Sequence, residues 1–473
     1  MILERFYDDP LAQASFLVGC PAAGEAIVID PNRDIEQYVR AAAKEKVRIT
    51  GVTETHIHAD FVSGARELAE RTGARLYLSD EGDAEWKYGY AKQPNVTLVK
   101  DGDVIRAGAV KLEVMKTPGH TPEHISFMLT DEASTTEPLG AFTGDFVFVG
   151  DVGRPDLLER AANMAGTMEK GARVLFSSLS RFRALPGYLT LWPGHGAGSA
   201  CGKSLGSLPS TTLEYEKFAN WGLKTTIESA FVTEVLAGQP EPPVYFKEMK
   251  RINRDGPPIL GGFREPPRLP ADSLLTVLDR GGVVVDLRPS RAYEVGGIPG
   301  TLHIPIGRLF TTWAGWLLPY GQPVHLLALT PEDVRRAVRD LAMIGLDDVA
   351  GWFDEQALSA WSTARGPLTK TELWSPSETL KRVQSGEVTL LDVRGANEYD
   401  AGSVPGAVHI PLGYLPGRVA ELPKGRKIAI HCSGGSRSPI GVSILRRAGL
   451  VDVADVAGGF DAMRRDTVPI HSN

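Results

Sequence analysis

The sequence predicts an α/β protein of several domains, and three observations carry that expectation. Its 473 residues exceed what one hydrophobic core organises, with about three domains as the prior. Short apolar runs suited to strands alternate with helix-like segments and Gly/Pro turns. A long stretch of the second half also recurs: Asp286 and Asp392, like His303 and His409, stand 106 residues apart.

The first half, residues 1–255, reads as one domain. Strands are expected at Ser15–Val18, Ala26–Ile29, Val47–Val52, Arg75–Leu78, Lys111–Met115 and Ile125–Leu129, with a helix near Gly64–Gly73. That alternation suits sheets sandwiched between helices. Thr53–Phe61, T-E-T-H-I-H-A-D-F, follows an apolar strand. If extended, it turns His56, His58 and Asp60 to one side, because side chains alternate along a strand. Downstream lie His120 in T-P-G-H-T-P-E-H, Asp145 in F-T-G-D-F and His195 in W-P-G-H-G. Such His and Asp residues, each beside a glycine at a strand end, are what a shared metal centre requires.

This motif set resembles the metallo-β-lactamase superfamily, whose signature reads H-x-H-x-D-H, and the resemblance implies an αββα sandwich. Phe61 stands where the final histidine is expected, and phenylalanine cannot bind a metal. A two-metal centre of the glyoxalase II kind thus loses a ligand. The branch that uses one metal is the persulfide dioxygenase branch, and its resemblance implies one Fe(II) per chain on His56, His120 and Asp145. Zinc or manganese in the isolated protein is compatible with the same donors. Two imidazoles and one carboxylate leave open positions for a persulfide sulfur and O₂, which a closed tetrahedral zinc site does not. His58, Asp60 and His195 are expected to orient the ligands or to act as cryptic ligands. Arg154, in Gly150–Asp156 (G-D-V-G-R-P-D), also matches that branch. Cys201, six residues after His195, is a candidate for the metal pocket wall, whereas Cys20 reads as a core or turn residue.

Composition narrows the alternatives. Hydrophobic content of 42% and charged content of 23% are ordinary for a globular chain. A net charge of −7 gives no electrostatic case for nucleic acid or anionic membrane. No apolar run reaches the roughly 18 residues of a membrane span. The start, M-I-L-E-R-F-Y-D-D-P, lacks the pattern of a signal peptide, and three scattered cysteines make no disulfide framework. A cytoplasmic location and a homo-oligomer are the expectations.

Asp255–Pro270 is rich in Pro and Gly and reads as a linker, as does Arg365–Ser377. The repeat follows, with copies at residues 271–365 and 374–473. Each runs strand, D-[VL]-R, helix, x-P-G-[TA]-[LV]-H-I-P, and both resemble rhodanese domains, small α/β units with a central parallel sheet. In the second copy, Lys427–Ile430 leads into H-C-S-G-G-S-R-S. Cys432 then sits at a strand's carboxyl end, followed by Gly434, Gly435 and a helix from Ser438. Backbone N–H groups of such a turn cradle an anion and stabilise a thiolate or an enzyme persulfide. Arg437 is expected to pair with a sulfite or thiosulfate oxyanion. In the first copy Leu326 stands opposite Cys432, within H-L-L-A-L-T, so that copy lacks the means to transfer sulfur.

The arrangement resembles bacterial fusions of a persulfide dioxygenase with rhodanese domains. It implies oxidation of a low-molecular-weight thiol persulfide by O₂ to sulfite, and conversion of sulfite to thiosulfate at Cys432. The competing expectation is a glyoxalase II-like thioester hydrolase joined to a sulfurtransferase, which needs two metals and a metal-bound hydroxide.

Overall fold

The computed structural model describes residues 1–157 and 166–466. Residues 158–165 and 467–473, inside the first and third expected domains, lie outside it. The described chain forms two compact units, Met1–Phe263 with Ala342–Gly345, and the remaining residues from Arg264 onward.

The first unit is built on two six-stranded sheets. One takes β1 (Ile2–Asp8), β2 (Gln13–Cys20), β3 (Glu25–Ile29), β4 (Arg48–Thr53), β5 (Arg75–Ser79) and β6 (Val96–Val99), in that spatial order. The other takes β7 (Val104–Ala107), β8 (Val110–Lys116), β9 (Ile125–Asp131), β10 (Gly140–Gly144), β11 (Thr190–Pro193) and β12 (Thr211–Thr212). β1 to β3 pair antiparallel, while β3 to β6 run parallel. In the second sheet only β10 and β11 pair parallel.

Strand alternation explains the layers. Phe16 and Val18 of β2 pack with Leu112, Phe127 and Phe142 of the second sheet, making the core between the sheets. Leu17, one position out of phase, packs outward with Tyr38 and Leu68, which lie on the helices Glu36–Lys44 and Ala65–Thr72. On the far side Ala141 and Leu191 meet Leu175, Leu179 and Phe182 of the helix Met168–Arg183. The result is the αββα sandwich expected from the sequence. The predicted strands overlap observed ones, with Val47 one residue ahead of β4, and Gly64 and Gly73 cap the helix Ala65–Thr72.

The second unit holds two sheets of like topology. β13 (Val283–Asp286), β14 (Leu302–His303), β15 (Val324–Leu327) and β16 (Val349–Phe353) lie in the order β14-β13-β15-β16, all parallel. β17 (Glu372–Trp374), β18 (Val388–Asp392), β19 (Val408–His409), β20 (Lys427–His431) and β21 (Val453–Val456) lie in the order β17-β21-β20-β18-β19, again parallel. The stretch read as a second linker thus contains an edge strand, β17. Three residues joined sideways to β21 leave no periodic pattern to read.

The D-x-R of each repeat is a folding device. Arg288 Nη2 lies 2.6 Å from Asp286 and donates to the Gly296 carbonyl, and both side chains are buried. Arg394 repeats this with Asp392 at 2.6 Å and the Gly402 carbonyl. Among the described residues no helix is long and apolar enough to cross a membrane. Asp392→Ala would leave the Arg394 guanidinium buried and unpaired, and is expected to cost about 3–5 kcal/mol. Calorimetry should show an earlier unfolding transition, with Asp286→Ala acting alike in its own copy.

Candidate metal centre and cysteine cradle

Thr53 is the last residue of β4, and the chain from Glu54 onward is loop. His56, His58 and Asp60 are therefore not aligned along a strand, and each faces different partners. His56 joins His120 and Asp145, whose ligand atoms lie within 4.8 Å of one another. Asp60 joins His195 and Cys201 in a second such group. His58 turns to Asp30, with Nε2 3.2 Å from Oδ1. Burial works against a charge on His58, yet the carboxylates of Asp30, Glu54 and Asp60 raise it to about 9.

Hydrogen bonds fix which nitrogen each histidine presents. The Thr55 hydroxyl donates to Asp30 Oδ2 at 2.9 Å, so its oxygen accepts His56 Nδ1–H at 2.9 Å. His120 Nδ1–H donates to the Arg154 carbonyl at 3.0 Å. Both rings thereby turn an unprotonated Nε2 toward Asp145 Oδ2, at 4.0 Å and 3.5 Å. Burial holds both imidazoles below their usual range, in the neutral form a metal needs. His56 Nε2 is buried with no hydrogen-bond partner among the described residues, and the Asp145 carboxylate meets only the Cys201 thiol beside the facing imidazoles. Buried polar atoms left so are costly, and a bound cation satisfies them. The donor set fits a metal: His56, His120 and Asp145 form a metal-binding site.

Asp145 also faces the second group. Its Oδ1 lies 3.5 Å from His195 Nε2, which is 3.2 Å from Asp60 Oδ2, while His195 Nδ1–H donates to the Ala12 carbonyl at 3.0 Å. Burial, with the charges of Asp60 and Asp145, pushes the Cys201 thiol well up. Phe61 supplies no ligand, as its side chain requires, and the second group draws instead on Asp60, His195 and Cys201. Phe61 is buried against the His58 ring, with centroids 4.4 Å apart.

Asn253 and Asp30, absent from the sequence reading, hold this geometry together with residues named there. Asn253 Nδ2 donates to the carbonyls of His58 and Phe61 at 2.8 and 2.7 Å, and its Oδ1 accepts the Ser63 N–H. Asp30 stands at a left-handed φ of 51° just after β3, and the run V-I-D-P was its only signal. Arg154 is wholly buried, forked onto Asp156 at 2.8 Å, with Nη1 on the Ala200 carbonyl beside Cys201. His124 accepts the Asp145 N–H at 3.1 Å and is a brace. Cys20 ends β2 in the core between the sheets.

In the second unit Cys432 follows β20 directly and is buried. Its Sγ receives the backbone N–H of Gly435 at 3.1 Å and of Arg437 at 3.3 Å, and lies 3.7 Å from Ser438 Oγ. The cradle expected from the sequence is thus formed by the backbone. The Arg437 guanidinium, expected to pair with an oxyanion, is gripped here by the Glu398 carboxylate at 2.6 and 2.7 Å. The Leu326 position of the first copy lies within β15 and carries no such turn.

Gly153 passes so close to the metal site that an added Cβ would fall 1.8 Å from the Asp145 carbonyl oxygen. Gly153→Ala must displace that backbone. It is expected to lower metal content per chain well below that of the parent, read by elemental analysis on protein of matched circular dichroism.

The chain matches the metallo-beta-lactamase superfamily over residues 8–196 and the rhodanese-like domain over residues 375–466. It is 32% identical over 187 residues to a hydroxyacylglutathione hydrolase of Methylobacterium nodulans, covering 40% of this chain and 59% of that one. It is 26% identical over 200 residues to the mitochondrial persulfide dioxygenase ETHE1 of Bos taurus, covering 41% and 68%. The chain thus spans about three fifths of the length of the hydrolases it matches, 59% and 60% for two Methylobacterium proteins. A solved metallo-beta-lactamase of Staphylococcus aureus is similar over 75% of this chain and 99% of its own, with a TM-score of 0.68. At 41% identity across that whole partner, and with the sandwich and its ligand residues in place, this chain belongs to the metallo-beta-lactamase superfamily.

Proposed function

We infer that the chain is a persulfide dioxygenase joined to a sulfurtransferase. Residues 1–255 are read as the dioxygenase, 271–365 as a rhodanese-like copy without its cysteine, and 374–473 as the working rhodanese. The observation that carries this is the pairing, on one chain, of a two-histidine, one-carboxylate face with a backbone-cradled cysteine. When bound, Fe(II) supplies open positions and the redox chemistry for O₂.

The chain's own residues set the rest. Thr55 and the Arg154 carbonyl hold His56 and His120 in the tautomer that presents Nε2. His56, His120 and Asp145 are themselves buried, which keeps bulk water from them. Overall, a thiol persulfide anion, O₂ and water give the thiol, sulfite and one proton: the outer sulfur is oxidised, O₂ is reduced, and the S–S bond breaks. At the second site the Cys432 thiolate attacks the outer sulfur of another persulfide. The Sγ–S bond forms and the thiolate of the carrier leaves with the electron pair. Sulfite then takes that sulfur, giving thiosulfate and restoring the Cys432 thiolate. Covalent tethering raises the local sulfite concentration at Cys432.

The group Asp60, His195 and Cys201, together with Asp145 facing both sets, favours a second reading: a two-metal thioester hydrolase joined to the same sulfurtransferase. Metal content and oxygen uptake on adding glutathione persulfide to anaerobically iron-loaded protein separate the two. The dioxygenase reading expects one iron per chain and prompt O₂ consumption, abolished by His120→Ala. Two metals, no O₂ uptake and hydrolysis of a glutathione thioester would make the chain a hydrolase. Cys432→Ser is expected to keep sulfite formation and stop thiosulfate formation, followed by separation of the two anions.

A further inference from the structure

The Cys432 loop carries an interaction that this chemistry leaves unused. Arg437 Nη1 and Nη2 grip the two oxygens of Glu398 at 2.6 and 2.7 Å, and Nη2 also donates to Ser433 Oγ at 2.8 Å. The Ser433 hydroxyl donates to Glu398 Oε1 at 2.5 Å, and the Gly395 N–H to Oε2 at 3.0 Å. The pair sits at the rim of the loop, with Arg437 18% and Glu398 40% exposed. A guanidinium fork binds any two coplanar anionic oxygens, so Glu398 takes the place on Arg437 that an oxyanion of thiosulfate or sulfite would take. Burial opposes the charge on Glu398, yet Arg437 and Ser433 hold its carboxyl down to about 2.

The repeat separates folding from chemistry at these positions. The Asp392–Arg394 pair persists in the first copy as Asp286–Arg288. The positions 106 residues before Glu398, Cys432 and Arg437 are Ala292, Leu326 and Pro331. The ion pair is thus lost along with the cysteine while the fold remains.

We propose that Glu398 is an internal occupant of the oxyanion site of the Cys432 loop, holding Arg437 until thiosulfate or sulfite displaces it. This rests on the sulfurtransferase reading of the C-terminal domain. Glu398 is then a specificity-determining residue. When thiosulfate loads Cys432, the Sγ–S bond forms, the S–S bond breaks and sulfite leaves with the electron pair; its dianion must first evict Glu398. When a thiol persulfide loads Cys432, the leaving group is a thiolate with no oxyanion, and Glu398 stays in place. The same competition loosens product thiosulfate and excludes inert anions such as sulfate.

The test uses the full chain and Glu398→Gln, which keeps an acceptor for Gly395 and Ser433 without the charge. Loading of Cys432, read as the mass gain of one sulfur atom, is followed against thiosulfate and glutathione persulfide. The Gln variant is expected to reach half-maximal loading at about tenfold lower thiosulfate, with the persulfide value within about twofold of the parent. Glu398→Asp, which keeps the charge, is expected to stay near the parent. An unchanged or higher thiosulfate requirement in Glu398→Gln, a common shift for both donors, or an Asp variant that behaves as Gln would overturn the proposal. If neither donor loads the parent, the sulfurtransferase reading falls. Calorimetric titration with sulfate alone then still decides on Glu398, since equal affinity in parent and Gln variant would refute its role.

Discussion

A buried carboxylate that faces two histidine groups is the constraint around which the first unit is arranged. Asp145 follows Gly144, a left-handed residue where an added Cβ would meet the Thr55 hydroxyl and the His124 ring. That close approach sets its carboxylate between two histidine groups, with Oδ2 toward His56 and His120 and Oδ1 toward His195. In a dry site such a charge costs several kcal/mol unless a cation faces it. Thr55, Asp30, Asn253 and the Arg154–Asp156 pair all keep the ligands from relaxing into alternative hydrogen bonds. The metal's contribution is therefore also a contribution to folding.

Candidate residues of the site were legible in the sequence because three of them stand next to a glycine in a short turn-like motif. T-P-G-H, T-G-D and W-P-G-H announce His120, Asp145 and His195 in this way. How they divide was not legible. Asn253 acts on His58 from 195 residues away, and Cys201 approaches Asp60 through a loop with no secondary structure. Such bonds leave no periodicity or motif. The expectation of three aligned side chains at His56, His58 and Asp60 assumed a strand that stops at Thr53. Backbone direction after that point depends on the partners each side chain finds, and those are distant in sequence.

The C-terminal loop shows the same division. Strand, cysteine, glycines and helix were all readable, because a cradle needs only local backbone. The state of Arg437 was not, since its partner Glu398 lies 39 residues earlier and belongs to a different helix. A charged side chain in a motif therefore identifies a possible contact, while its occupant is set by the tertiary fold.

The two D-x-R pairs add a last point about how such a chain changes over time. Both copies anchor a buried guanidinium at a strand end, on the Gly296 and Gly402 carbonyls, and stack Tyr293 on His303 and Tyr399 on His409 in the same manner. None of these groups belongs to the reactive loop. Substitutions in that loop can alter its chemistry without loosening the architecture, since the buried pairs that hold the strand ends lie elsewhere. The two copies keep the strand-end pairs in common and differ at the loop.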